Sequence, residues 1–377
     1  MFSAISIAWG NTFQNWKRTL AALAGITFSI LLVFVQLGFL NGAKTAVTLI
    51  FDSFVFDIAI TSDKYQIMPT ADPFDRIRLV QARIDPGVLD SFKFNVRTGS
   101  WFDEKTELES TVLLIGIDDK PSFMVNSDFI DGLESVTDGQ SVFLDRLSHK
   151  DFGEIKIGLG GQINSRAVTV TQLFDLGLFF YAEGAAATVN GNFVKLSGQT
   201  SDDVTVGFLK IRDGFSVDKT VARLQKTLPN DVVISSRDKF IERERDYFIE
   251  VKPVGILFKS AVFIAFAVGF VILFQVLSTE LGNRISEFAT LKAMGFSTRF
   301  IYGIGIAQNL IITIFSFLPA SLLCTLVFEI IYAVSKLPVS MTLELFTTVF
   351  GLTMLMSVFA GLLALKKLSK ADPAELF

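Results

Sequence analysis

Between Arg18 and Lys44 the chain reads TLAALAGITFSILLVFVQLGFLNGA, residues 19–43, which is 25 consecutive positions without a charge. About 20 apolar residues in a helix cross the hydrocarbon layer, so this run is long enough to span it. Three more uncharged runs follow: SAVFIAFAVGFVILFQVLST at 260–279, between Lys259 and Glu280, then 300–328, then 345–365. Buried helices of large soluble proteins seldom stay uncharged over such lengths, and all four runs read as transmembrane helices. The first exceeds the apolar stretch of a secretory signal and no small-x-small cleavage site follows it, so it reads as an uncleaved anchor. The third is long enough to cross with tilt, and Pro319 is predicted to kink it or end its regular part.

Composition narrows the chemistry. The chain has 377 residues, with 50% hydrophobic and 19% charged, too apolar and too sparsely charged for one soluble domain. Its 39 phenylalanines do not read as one soluble core. One cysteine, Cys324, excludes a disulfide framework or thiolate cluster, and one histidine, His149, argues against a histidine metal site or a Ser-His-Asp triad. No catalytic residue, metal site or cofactor is therefore expected. A net charge of -4 gives no sign of a nucleic-acid partner.

Lys and Arg in short flanking segments set orientation. Lys17 and Arg18 precede the first span; Arg284, Lys292 and Arg299 lie between the second and third; Lys366, Lys367 and Lys370 follow the fourth. The loop between the third and fourth has Lys336 alone. Both termini and the 280–299 loop are predicted cytoplasmic, which leaves about 210 residues outside between the first two spans. Residues 41–259 hold 25 Lys and Arg against 32 Asp and Glu, a net of -7. Short apolar runs alternate with turn signals there, as in a folded α+β domain. Strands are expected at 54–60, 111–117, 167–174, 204–211 and 232–235. A helix is expected over 217–228, capped by Ser216 and stopped before Pro229, and a second starts near Arg237.

No segment has the phosphate-cradling spacing G-x-x-x-x-G-K-[ST], so the chain is not expected to hydrolyse ATP by itself. Leu196-Ser197-Gly198-Gln199 resembles an ABC ATPase signature, yet lacks its second glycine and falls in the outer domain; it reads as coincidence. The acidic clusters Asp103, Glu104, Glu107, Glu109 and Asp202, Asp203 lack calcium-loop spacing and read as solvated surface. His149 reads as an exposed turn residue. Gln36, Gln275, Gln308 and Asn309 fall inside spans, where a polar group needs a partner; they line a route or, more simply, hydrogen-bond between helices.

The segment TELGNRISEFATLKAMGFS, 279–297, carries the mechanism. Leu281, Ile285 and Phe288 recur at i, i+4 and i+7 as one apolar stripe, and Glu280 precedes Arg284 by four, the favourable order for a helical ion pair. Gly295 is a good C-terminal stop, and Ser297 a cap for the next helix. A short amphipathic helix joined at both ends to spans follows, lying in the headgroup layer or docking on a protein. Near the start, Phe2, Ile5, Trp9, Phe13 and Trp16 are spaced as an interfacial helix. Ala261, Ala265 and Gly269 in the second span, and Thr353, Ser357 and Gly361 in the fourth, put small residues four apart, as close helix packing requires.

These features resemble permeases of the ABC export family that includes MacB, the lipoprotein-releasing LolC/LolE pair and FtsX. Within it the chain most closely resembles DevC-type permeases, on Leu23-Ala24-Gly25-Ile26, Gln36-Leu37-Gly38-Phe39, Phe240-Ile241-Glu242-Arg243-Glu244, residues 278–300 (STELGNRISEFATLKAMGFSTRF) and the final KKLSKADPAELF. The resemblance implies an α-helical membrane protein with four transmembrane helices plus a large extracytoplasmic α+β domain inserted between helices 1 and 2. It divides as an interfacial amphipathic helix at 1–18, spans at 19–43, 254–279, 300–328 and 345–365, a periplasmic domain at 45–252, a cytoplasmic coupling-helix loop at 280–296, a short outer loop at 329–344 and a cytoplasmic tail at 366–377. It further implies a permease subunit of the cell inner membrane, with no catalysis of its own. The implied partners are a DevA-like ABC ATPase, a DevB-like membrane-fusion adaptor, a TolC-like outer-membrane channel, a second permease copy and membrane lipid, for export of glycolipid or another amphiphile. Carried over by position, ATPase coupling falls to Glu280, Arg284, Glu287, Leu291, Lys292, Met294 and Gly295. FtsX-like control of a cell-wall hydrolase and lipoprotein release are the alternatives.

Overall fold

A computed structural model describes Trp9 and residues 16–177, 182–283 and 285–369. The expected interfacial helix at 1–18 and the tail at 366–377 fall largely outside the described residues. The chain divides into two compact units: residues 1–42, 257–334 and 339–377, and residues 43–256 with 335–338.

The second unit is built on a nine-stranded sheet of order β11-β1-β10-β3-β4-β8-β5-β7-β6. The strands are β1 Ile58–Ser62, β3 Val88–Asp103, β4 Leu108–Ile117, β5 Ser141–Asp145, β6 Gly160–Ile163, β7 Arg166–Phe174, β8 Gly184–Val189, β10 Val206–Ile211 and β11 Val232–Ser236. Two short strands, β2 Phe74–Asp75 and β9 Asp203–Val204, pair separately. The 16-residue β3 joins the halves of the sheet: 88–94 pairs with β10, and 94–103 with β4. Its far end also pairs with β6 at Trp101 and Phe102, so the strands from β3 round to β6 close on themselves. Trp101 fills that closed part with Phe152 stacked at 5.5 Å and with Val112, Leu144 and Val170 around it.

A larger core lies on the other face of β4, β5 and β8 and continues over β1, β3 and β10. Eleven phenylalanines pack in it, among them Phe54, which meets Phe92, Phe94, Phe129 and Phe208 with ring centroids 5.3–5.7 Å apart. Part of the phenylalanine content is thus an ordinary domain core, while the rest lies outside it. Four α-helices accompany the sheet, α2 Ile77–Ala82, α3 Ser127–Ser135, α4 Asn190–Ser197 and α5 Val217–Thr227, and a fifth, α6 Arg237–Glu250, ends this stretch of the chain.

Several local expectations need correction. Ser216 stands at the N-cap of α5 but its side chain makes no capping bond; its carbonyl accepts from Thr220 N instead. Asp103 is buried rather than solvated, because its carboxylate closes the β3–β4 turn by accepting from Thr106 N and Oγ1. Gly198 of the ATPase-like tetrapeptide adopts φ +73° as the left-handed residue ending α4, a conformation glycine takes at no steric cost. The Leu-Ser-Gly-Gln string therefore has a local structural reason. Among the described residues no group of His, Cys, Asp and Glu could hold a metal ion.

The first unit takes in most of α1 Trp16–Thr48, α7 Pro253–Gly282 and α9 Thr298–Ser335, together with α8 Ile285–Ala293 and α10 Leu343–Ser369. All but α8 are long and apolar enough to cross a membrane, over Thr19–Ser53, Pro253–Gly282, Thr298–Ser335 and Leu343–Lys366. Large apolar side chains stand exposed along them, such as Leu257, Phe263 and Leu322, as lipid-facing helices require. Pro319 does not end the third span, since α9 runs through it to Ser335.

Candidate functional site

The helices of the membrane unit are tied by hydroxyls. Ser29 Oγ donates to Gly269 O at 2.7 Å, Thr27 Oγ1 to Ser316 O at 3.2 Å and Ser316 Oγ to Leu23 O at 3.3 Å. Thr313 and Ser357 share a hydroxyl contact of 2.8 Å between α9 and α10. Of the small residues singled out by spacing, Ala265, Gly269, Thr353, Ser357 and Gly361 are buried, while Ala261 is only partly so. A Cβ on Gly269 would lie 3.1 Å from Ser29 Oγ, and one on Gly361 would collide with Asn309 Nδ2. These glycines set how closely α7 meets α1 and α10 meets α9.

Gln308 and Asn309 depart from the expected interhelical bonding. Both are buried, and among the described residues none of their four amide atoms has a hydrogen-bond partner. Packing explains it for Asn309, whose amide lies over Gly361 where no acceptor side chain exists. Hydroxyls, short enough to reach a neighbouring backbone carbonyl, carry the bridging instead.

The segment expected to act sits between α7 and α9. The helix α7 runs to Gly282, the chain leaves helical geometry around Asn283, and α8 begins at Ile285. The single stripe expected from Leu281, Ile285 and Phe288 is therefore divided between two helices, because Gly282 and Asn283 are poor helix formers. Leu281 ends α7 in a buried cluster with Ile301, Ile304, Ala364 and Leu365. Leu291, on α8, packs against that same cluster and anchors the short helix. Glu280 is buried in the last turn of α7. Arg284 lies outside the described residues, and with it the expected pair to Glu280.

The C-terminal end of α8 is closed with two bonds. Phe296 N donates to Leu291 O at 3.1 Å and Gly295 N to Lys292 O at 3.1 Å, with Gly295 at φ +90°. That is the Schellman arrangement, and it needs a residue at ease in left-handed geometry. Ser297 then caps α9, its Oγ accepting from Phe300 N at 3.3 Å, and Phe296 stacks on Phe300 at 5.2 Å. With both ends fixed, Glu287, Lys292, Met294 and Phe296 stand exposed. The apolar pair Met294 and Phe296 around Gly295 is the feature that spacing alone did not single out, although two large apolar residues beside a helix stop are visible in the sequence.

This arrangement lies within residues 259–373, which match the family described as FtsX-like permease C-terminal. Over these residues the chain is similar to the C-terminal domain of FtsX-like permeases. No curated protein sequence matches the chain. Its structure is similar to the periplasmic region of MacB from Actinobacillus actinomycetemcomitans, at 14% identity and TM-score 0.36 over 50% of this chain and 92% of that one. It is also similar to the extracellular domain of the noncanonic ABC-type transporter YknZ from Gram-positive bacteria, at 15% identity and TM-score 0.33 over 48% and 99%. A domain of a permease protein from Porphyromonas gingivalis is similar at 14% identity and TM-score 0.29 over 49% and 90%. Among the described residues of the matching stretch, α8 is the one short helix held between two spans.

Proposed function

We propose that the chain is the permease subunit of an ABC-type tripartite export system of the DevC type, working as a homodimer in the inner membrane. ATP is hydrolysed by a separate DevA-like subunit, in keeping with the missing phosphate loop in the sequence. The unit of residues 43–256 faces the periplasm and engages a DevB-like adaptor leading to a TolC-like channel, and the cargo is a glycolipid or another amphiphile.

The observation that carries this reading is the construction of α8. It is anchored through Leu291, locked at its end by Gly295 and Ser297, and presents Glu287, Lys292, Met294 and Phe296 outward. A helix fixed in this way passes a push on its exposed face into both neighbouring spans, whereas a frayed loop would absorb it. The mixed apolar and charged face suits a protein groove, with Arg284 and Glu287 as charged determinants, while the buried Glu280 acts at the end of α7 rather than on the docking face.

Co-expression of R284E/E287R with the neighbouring ATPase and adaptor genes tests it. The expected outcome is a membrane-inserted protein that co-purifies with the adaptor but no longer stimulates ATP hydrolysis or export. Unchanged export from this variant overturns the assignment. Capture of a cell-wall hydrolase by the wild-type protein, in place of an adaptor, identifies the signalling alternative.

A further inference from the structure

The residues 43–256 unit contains a cleft of about 550 Å³, within the range of roughly 300–1,000 Å³ typical of small-molecule sites. Four sequence-distant segments meet there. Helix α2 and the residues on either side of it contribute Arg76, Val80 and Arg83; β3 contributes Lys93; the turn after β4 contributes Asp118 and Lys120; α4 contributes Asn190 and Gly191.

Its charges are unequally satisfied. Asp118 accepts two neutral bonds, Oδ2 from Lys93 N and Oδ1 from Asn190 Nδ2, each at 2.8 Å. Lys120 pairs with Asp90 at 2.9 Å, and Arg83 shares that carboxylate at 3.7 Å. Arg76 and Lys93 have no ion pair among the described residues. Lys93 is 6% exposed, and its ammonium, which has three donors, gives one to Ser201 O at 2.6 Å. Burial and the nearby Arg76 push its pKa down, against the pull of Asp118, Asp203 and Asp202. The ammonium has only a neutral carbonyl within bonding distance; the carboxylates of Asp118, Asp202 and Asp203 attract it without pairing with it, so an anion entering the cleft would complete a buried charge that is otherwise costly.

We propose that this cleft binds one anionic group of the phosphate or carboxylate class, held by Lys93 and Arg76, with Val80 and Val194 facing the apolar part of whatever bears it. Space for it exists at Gly191, where an added Cβ meets nothing within 4 Å. The first turn of α4, with its free N–H groups, adds to the attraction for negative charge. Asp119, acidic and exposed, disfavours a second anionic group at the same site.

The test uses the full chain in neutral detergent, titrated calorimetrically with inorganic phosphate, acetate and short-chain phosphatidic acid, with short-chain phosphatidylcholine as the zwitterionic control. Binding of at least one anion at millimolar concentration or below is expected. Arg76 is exposed, so R76E should leave the fold intact and weaken binding by at least ~10-fold, the loss expected for one charge contact. G191F should abolish it by filling the cleft while leaving the thermal midpoint unchanged. Phosphatidic acid binding ~10-fold tighter than phosphate supports the site with a lipid headgroup as source; equal binding supports it with a free small anion. The proposal is overturned if none of the anions binds, if phosphatidylcholine binds as well as they do, or if R76E and G191F bind as the wild type does. It stands or falls independently of the α8 docking test.

Discussion

Replacing Glu244 with glutamine changes how the residues 43–256 unit responds to pH. Glu244 lies on α6 with no exposed surface. Burial raises its pKa to about 7, against the lowering effects of a Tyr65 hydrogen bond, the Met68 N–H and the Arg243 charge. The Met68 N–H donates to Oε2 at 3.2 Å. Because the folded pKa exceeds that of the unfolded chain, near 4.3, the folded state holds one extra proton between those values. Stability is therefore present in full below that window and is lost as pH rises through about 7. At 1.36 kcal/mol per unit the loss is on the order of 3 kcal/mol. Glutamine cannot ionise and leaves an amide N–H pair short of acceptors, a cost of about 1 kcal/mol. E244Q should be roughly 2 kcal/mol more stable than the wild type at pH 8, about equal to it at pH 5, and about 1 kcal/mol less stable below pH 4. Asp145, whose pKa burial raises to about 6 despite N–H bonds from Leu147, Leu176 and Gly177, titrates in both proteins and cancels in the difference. Urea unfolding of the full chain in neutral micelles, followed by the fluorescence of buried Trp101, measures both curves. Stability curves for the two proteins that stay parallel from pH 5 to 8, or a wild type that gains stability with pH, would refute the reasoning.

Two further outcomes follow from close approaches. G361A should lower the thermal midpoint of the membrane unit, since its Cβ meets Asn309 Nδ2, at a cost of about 1–3 kcal/mol. N309A/G361A should recover most of that, because the clash and the unpartnered amide leave together; additive losses would refute it. G295A places a side chain at φ +90° and should destabilise the end of α8 by about 1 kcal/mol, read as faster amide exchange at Gly295 and Phe296.

The four spans are legible because a lipid-facing helix cannot hide its composition: every position along it is constrained to be uncharged. The strands at 111–117, 167–174 and 232–235 are legible for a related reason, runs of β-branched residues bounded by turns, and the structure places β4, β7 and β11 there. The strands β3 and β8 are not. In β3, Thr98-Gly99-Ser100 reads as a turn, yet it pairs with Val112 and its neighbours in mid-strand. Strand β8 is Gly-Ala-Ala-Ala-Thr-Val, whose first four residues have low strand propensity and are small for reasons of space: a Cβ on Gly184 would collide with Ser148. Packing between elements decides both, and packing is not a local property of sequence.

The same distinction separates the two candidate sites. The segment 279–297 is contiguous, so its stop at Gly295 and cap at Ser297 are written in neighbouring residues and can be read directly from their order; the split of its apolar stripe at Gly282 and Asn283 depends on a helix break that spacing alone does not show. The cleft at Lys93 has no contiguous signal at all. Arg76, Lys93, Asp118 and Asn190 acquire meaning only when β3, β4, α2 and α4 converge, and Lys93, standing in a strand among phenylalanines, reads in the sequence as an outward-facing solvated lysine. Its burial reverses that reading. An ammonium in water needs no partner, whereas one at 6% exposure does, and Ser201 O alone supplies no charge. Function read from local pattern is thus confined to the membrane unit, where the pattern is dense. In the unit of residues 43–256 it has to be sought where the fold leaves a charge incompletely answered.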